Sequence, residues 1–284
     1  MRARVPASSA NLGPGFDALA VALGLYVEVT VEPADRLSVT ASGEGSDLPT
    51  DASHLAARVA SEVAGHDRLA ITVHSQIPVG RGLGSSAALA VAAAAAAGAK
   101  DPLLIGANFD GHPENAAASA LGGLVAGAIV HGQPVARRLP LDPHLAFVVL
   151  VPNHQLSTKE ARAALPASVS HRDAIFNLGR MGLLIAGLAD HRHLSSAATE
   201  DRLHQRYRAP LFPQGERLLC GLVEAGALAS CWSGAGPSIL AICTTATAGA
   251  VAAAGAELLA EVGVAGSTLQ LAPDYEGVVT TSEA

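Results

Sequence analysis

Residues Ile77 to Val91 read "IPVGRGLGSSAALAV". Gly80, Gly82 and Gly84 alternate with other residues, and Ser85, Ser86 and a run of alanines reaching to about Gly98 follow at once. Glycine takes positive φ without strain and lets the main chain come close to a ligand. A glycine loop that opens into a helix leaves the first backbone N–H groups unpaired at the positive end of the helix dipole, where a phosphate fits. A glycine turn closed by a capping serine accounts for the same letters. "GLGSSA" also nearly matches the dinucleotide fingerprint GxGxxG/A, but Pro78 and polar residues separate it from the strand before it, and no acidic residue ends a second strand beyond the helix. The lysine of a Walker loop is missing.

Working outward, "GLYVEVTVEP" (24–33), "RLSVTAS" (36–42) and "LAITVHS" (69–75) alternate as half-buried strands do. "SHLAARVASEVAG" lies between them at helical spacing, with Ser53 as the expected N-cap and Gly65 as the stop. Downstream, "GGLVAGAIVH" and "LAFVVLVP" read as strands. Near Pro152 the texture turns helical, through "AIFNLGRMGLLIAGLAD" and again around Leu203. The last third offers the strands "ALASCW" and "SILAIC" and the helix "TAGAVAAAGAELLAEVG". The expectation is an α+β chain of two lobes, 1–150 and 151–284.

Composition narrows the function. The 284 residues suffice for a sizeable core, and half are hydrophobic while only 3% are aromatic, so small side chains, alanine above all, must pack it. With a net charge of −7 and dispersed basic residues there is no stripe to meet a nucleic-acid backbone. The apolar run from Ala88 to Ala99 is shorter than the roughly 20 residues of a spanning helix, so no membrane partner is expected. The N-terminus lacks the charged-then-apolar layout of a signal peptide, which makes the cytoplasm the expected location. Cys220, Cys231 and Cys243 form no CxxC pair and read as small buried hydrophobes.

Three more stretches could hold chemistry. "FDGHPENAAASALGG" (109–123) puts Asp110, His112, Glu114 and Asn115 within six positions at a helix start marked by Pro113. Its carboxylate oxygens suit a hard cation bound with a nucleotide, and a capping aspartate with a solvated glutamate is the plainer alternative. "CWSGAGPSILAI" (231–242) is a third glycine turn, explained either by a hairpin or by close approach to a ligand. At the N-terminus, "PASSANLGPGFD" (6–17) holds more polar and bend-forming residues than a turn needs.

In this order the stretches resemble the GHMP kinases, named for galactose, homoserine, mevalonate and phosphomevalonate. "PVGRGLGSSAA" is similar to their phosphate loop, "SGAGPS" to their third motif, "GHPEN" to their GHPDN, and "PASSANLGPGFD" to the first motif of the homoserine branch. "STKEARAALP", "SHRDAIFNLGRMGLLIAGL" and "ATEDRLHQRYRAPLFP" resemble that branch too, so the likeness runs from about residue 3 to 245.

The resemblance implies a ribosomal protein S5 domain 2-like N-terminal lobe and a ferredoxin-like C-terminal lobe with the site between them. It implies transfer of the γ-phosphoryl group of ATP, with Mg²⁺, to the hydroxyl of L-homoserine for threonine synthesis, in a chain that could pair as a homodimer. Another small alcohol is the alternative acceptor, and a degenerate, non-catalytic relative the alternative to an enzyme. By carry-over, Pro78, Val79, Gly80, Arg81, Gly82, Leu83, Gly84, Ser85, Ser86, Ala87 and Ala88 hold the phosphates with Gly234 and Gly236. Ser86 and Asp110 hold the metal. Asn11, Asp17, His112, Arg162 and Arg208 face the amino acid, and Asn115, His112 and Arg162 flank the reacting groups. Asn115 is a poor proton acceptor, so no dedicated general base is expected; positioning and charge stabilisation suffice for phosphoryl transfer. Relative to the family, Asp110 stands in for a glutamate, Glu114 for an aspartate, and the interval from Ser86 to Asp110 is shorter by roughly two to three helical turns.

Overall fold

The computed structural model describes residues 1–282. Two sheets organise the chain. The first is built from β1 (Arg2–Ala10), β2 (Leu19–Pro33), β3 (Ser38–Gly43), β4 (Leu69–Ser75), β5 (Leu124–Val130), β6 (Gln133–Leu139) and β11 (Val279–Thr281). The second holds β7 (Leu145–Pro152), β8 (Ala229–Trp232), β9 (Ile239–Thr244) and β10 (Gly266–Leu271). The helices are α1 (Leu55–Ala64), α2 (Ser85–Ala96), α3 (Pro102–Asp110), α4 (Pro113–Leu121), α5 (Thr158–Ala163), α6 (His171–Ala189), α7 (Gln205–Arg208), α8 (Gly215–Glu224) and α9 (Ala248–Glu261).

The first sheet runs β11-β1-β2-β4-β3, with β5 pairing β2 and β6 pairing β5; only β3 and β4 are parallel. The second runs β10-β7-β9-β8, all antiparallel. With α8 between β7 and β8 and α9 between β9 and β10, it is a β-α-β-β-α-β unit of ferredoxin-like order. The expected division at residue 150 falls inside β7, which belongs wholly to the second sheet. The change of sheet comes before Leu145, and the chain returns to the first sheet through β11.

α2 is buried on nearly all sides, as a helix apolar all round should be. Its alanines let neighbours come close: a Cβ on Gly106 of α3 would lie 2.5 Å from Val91 of α2. The helix packs on β1 and β2 with α1, α3 and α4 beside it, which points its N-terminus at the gap between the sheets.

Two local readings need correction. α1 is capped by His54, whose Nδ1 accepts the Ala56 N–H, and not by Ser53, because Asp51 takes both the backbone N–H and the hydroxyl of Ser53. β1 went unread as a strand because Pro6 breaks its alternation; the sheet absorbs this with a register shift between Pro6 and Ala7. Ser8 and Ser9 follow, fully buried, and each finds a partner: Ser8 Oγ donates to Asn115 Oδ1 at 2.9 Å, and the hydroxyls of Ser9 and Ser233 are hydrogen-bonded to each other at 2.9 Å.

Candidate active site

A cleft of about 350 Å³ opens between the sheets, with the N-termini of α2 and α4 on one side and α5 and Arg208 on the other. The three glycine loops and the bend after β1 all reach it. Gly80, Gly82 and Gly84 have φ of 69°, 78° and 65°. The N-cap of α2 is Gly84 and no side chain caps this helix, so the capping-serine reading fails and the first-turn N–H groups stay open to an anion. Leu83, Ser85 and Ser86 line the cleft with Val79, Gly234 and Gly236.

The phosphate loop is sewn to the third glycine loop. Ser233 Oγ donates to Gly82 O at 2.7 Å, and a Cβ on Gly82 would stand 2.1 Å from Ser233 O. Gly234 and Gly236 also have positive φ. Arg81 turns out to be structural. Its guanidinium donates to the carbonyls of Val79, Pro152 and Asn153 at 2.7–2.9 Å, away from the cleft, tying the loop to the second sheet. Pro78, Ala87 and Ala88 do not line the cleft either; both alanines face the core.

On the opposite side, Asp17 and Arg162 form a two-pronged pair, both contacts at 2.9 Å. Arg162 reaches it from α5, whose start is fixed by a Ser157/Glu160 capping box. Thr158 is one turn earlier on the same face and lines the cleft too, unforeseen from the sequence. Asp17 sits at φ 54°, held by its N–H bond to Asn11 Oδ1 at 3.0 Å. Asn11 Nδ2 donates to Gly234 O at 2.7 Å, so this amide holds two loops in register, with less of it left for a substrate than expected.

Comparison with known proteins gives the family of the chain. Models of the GHMP kinases N terminal domain and the GHMP kinases C terminal match residues 52–123 and 177–261. The homoserine kinase of Rhodococcus opacus is 44% identical over 85% of this chain and 87% of its own length, and that of Moorella thermoacetica 39% identical over 97% and 98%. The chain belongs to the homoserine kinases of the GHMP family. The crystal structure of homoserine kinase from Cytophaga hutchinsonii superposes with a TM-score of 0.84 at 26% identity, covering 98% of this chain and 96% of that one. Membership makes the chain a phosphotransferase with an alcohol as acceptor.

In this GHMP kinase, Arg208 is not an exposed charge. It is 2% exposed, and no carboxylate lies within ion-pairing distance of it among the described residues. It donates to the carbonyls of Ala161 and Gly234 and to His204 Nδ1 at 3.1 Å, and lies 5.3 Å from the Phe16 ring centre. Burial pushes its pKa down to about 10, so it stays charged. A buried guanidinium that faces a cleft and has no ion-pair partner of its own has the chemistry to hold an anionic group.

His204 was missed by sequence reasoning. It is fully buried, which pushes its pKa well down and leaves it neutral. Nδ1 accepts from Arg208, so Nε2 carries the proton and donates to Gly13 O at 2.8 Å, while the ring stacks on Phe16. Asp201 accepts the N–H groups of Leu203, His204 and Gln205 and is held by Asn177 of α6. The signal was a lone HxxxR spacing, too common to single out.

His112 is the residue before α4, its Nδ1 3.2 Å from Asp110 Oδ2, and that contact raises its pKa. Asp110 closes α3, and Gly111 at φ 77° turns the chain into His112. Asn115 bridges Ser8 and Glu114, its Nδ2 donating to Glu114 Oε1 at 3.1 Å. Glu114 is the clearest departure from the solvated-glutamate alternative: it is 1% exposed and its Oε2 has no partner. Burial pushes its pKa up to about 7.

Among the described residues no helix is long and apolar enough to cross a membrane. Cys231 and Cys243 are buried as expected, and Cys220 is exposed.

Proposed function

We propose that the chain phosphorylates the side-chain hydroxyl of L-homoserine with ATP, a step of threonine biosynthesis. One observation carries the reading. A single cleft joins an uncapped helix N-terminus, fit for phosphate, to a carboxylate and two guanidiniums matched to a zwitterion. Asp17 would take the substrate ammonium, while Arg162 and Arg208 would take its carboxylate. The amino acid would then replace the Asp17–Arg162 contact with two of its own. Asn115 and His112 line the same cleft and would flank the reacting hydroxyl.

The donor set fits Mg²⁺. Ser86 and Asp110 line the cleft with a hydroxyl and a carboxylate, the oxygen ligands a hard cation takes. When bound, the ion would neutralise charge on the phosphates. The chain's own part is positioning: first-turn amides of α2 for the phosphates, and Arg162 and Arg208 for the amino acid.

The test is ADP release by the purified chain. Release should require L-homoserine and Mg²⁺ and stay at background with mevalonate. Turnover on another alcohol but not on homoserine would move the reading to a different acceptor, and nucleotide binding without turnover on any would make the chain a sensor.

Glu114 supplies a pH test. Its folded pKa of about 7 lies above the ordinary 4.5, so the native state holds its proton more tightly than the unfolded chain. The stability this group lends is complete below pH 4.5 and is lost as pH rises through 7. Glu114→Gln cannot titrate, so it should gain on the native chain by about 3 kcal/mol between pH 4.5 and pH 8. Denaturant midpoints at both pH values check this, and an equal gap at the two would refute the buried charge. kcat should fall less than about tenfold if positioning dominates; a loss of about 100-fold would give Glu114 the proton of the hydroxyl.

A further inference from the structure

Away from the cleft, Asp142, His144 and His191 meet where the connection between β6 and β7 packs on the end of α6. Their ligand atoms all lie within 4.8 Å of one another. Asp142 is 8% exposed, and its N–H donates to Leu188 O of α6 at 2.8 Å. The carboxylate is oriented by the main chain: the N–H of His144 donates to Oδ1 and that of His191 to Oδ2, both at 2.9 Å. Each oxygen keeps another lone pair, and each faces an imidazole. His144 Nδ1 is 2.9 Å from Oδ1 and His191 Nδ1 is 2.6 Å from Oδ2. The rings converge, with centroids 5.6 Å apart and planes tilted by 48°.

We propose that this cluster is a binding site for a borderline divalent cation of the Zn²⁺ type, ligated by the Asp142 carboxylate and by Nδ1 of His144 and His191. Two imidazoles and one carboxylate form a donor set that suits Zn²⁺ and its transition-metal neighbours, whereas Mg²⁺ prefers oxygen alone. In the free protein a proton on each Nδ1 satisfies the carboxylate. A neutral imidazole can carry that proton on Nε2 instead, which frees a lone pair at Nδ1 for the metal and releases no net proton. His144 is 71% exposed in its side chain, so its Nε2 is served by water after the change. The two backbone N–H bonds to Asp142 are the outer support that ligating carboxylates use. Three protein ligands with an exposed edge leave a further position to solvent.

The bound ion would clamp the β6–β7 connection to the end of α6. That helix also carries Asn177, which holds Asp201 below the Arg208 side of the cleft. Stability is accordingly the direct readout, and turnover is not needed to see it.

The experiment titrates the chelator-treated full chain with Zn²⁺ by calorimetry, with Mg²⁺ in parallel, and follows Tm. One equivalent of Zn²⁺ should bind, at micromolar or lower Kd, with a Tm rise of several degrees that Mg²⁺ does not produce. His144→Ala and His191→Ala should each weaken binding at least tenfold and abolish the Tm rise. His193→Ala, an exposed neighbour outside the cluster, should bind as the native chain does. No Zn²⁺ binding by the native chain, or binding unchanged in both His144→Ala and His191→Ala, would overturn the proposal. His144→Ala alone suffices if His191→Ala fails to fold, since its side chain is mostly in solvent.

Discussion

Asp17→Ala is expected to lower kcat/KM for L-homoserine on the order of 10²–10³-fold while leaving nucleotide affinity within about twofold. Losing one partner of a desolvated charge pair costs about 2–5 kcal/mol, and each 1.4 kcal/mol is tenfold. In the free protein the Asp17 carboxylate is paired with Arg162, and both side chains are more than a third exposed, at 39% and 47%. That pair is worth less than about 1 kcal/mol to the fold, so Tm should barely move. Asp17→Asn separates charge from shape, because asparagine tolerates the positive φ of this position and preserves the bend. If charge is what matters, Asn should fail nearly as badly as Ala. Steady-state kinetics with each substrate varied, together with calorimetry of an ATP analogue, decide the matter. An equal loss of nucleotide affinity, or unchanged homoserine kinetics, would remove Asp17 from the amino-acid end of the cleft.

The second large effect lies at Gly82. Its alanine variant should lose about 3 kcal/mol or more of stability and bind nucleotide at least tenfold more weakly. A left-handed conformation strains any L-residue by about 1–3 kcal/mol, and here the added Cβ would also meet Ser233 O at 2.1 Å and Gly236 N at 3.0 Å. Those are backbone atoms of a facing loop and cannot swing away. Gly80 is the control. Its φ is equally left-handed, but a Cβ there meets nothing closer than the Gln155 side chain at 3.7 Å. Gly80→Ala should cost only the conformational strain, about 1–2 kcal/mol. Thermal denaturation of the two variants side by side measures the difference. Equal loss in both would mean that the seam between the two glycine loops contributes nothing.

The cleft's parts were legible one by one because each rests on local chemistry. A glycine that must take positive φ, a helix start after it, and a proline at the head of α4 are all visible in a few letters. The same holds for β4, whose alternation from Leu69 to Ser75 coincides with the observed strand. Legibility failed where a neighbour distant in the chain decides the outcome. Nothing near Arg81 announces that its guanidinium is spent on Pro152 and Asn153. Asn11 reads as a ligand-facing amide until Gly234, far along the chain, is placed beside it.

What the letters alone determined is the set of groups that could bind a phosphate and an amino acid, since φ preference and helix polarity act over a few residues. The tertiary structure alone decided which of those groups are free. Tertiary packing left Arg208 buried with no ion-pair partner among the described residues and Glu114 buried with an unpartnered oxygen. Desolvation depends on everything surrounding a side chain, and no short stretch of sequence records that.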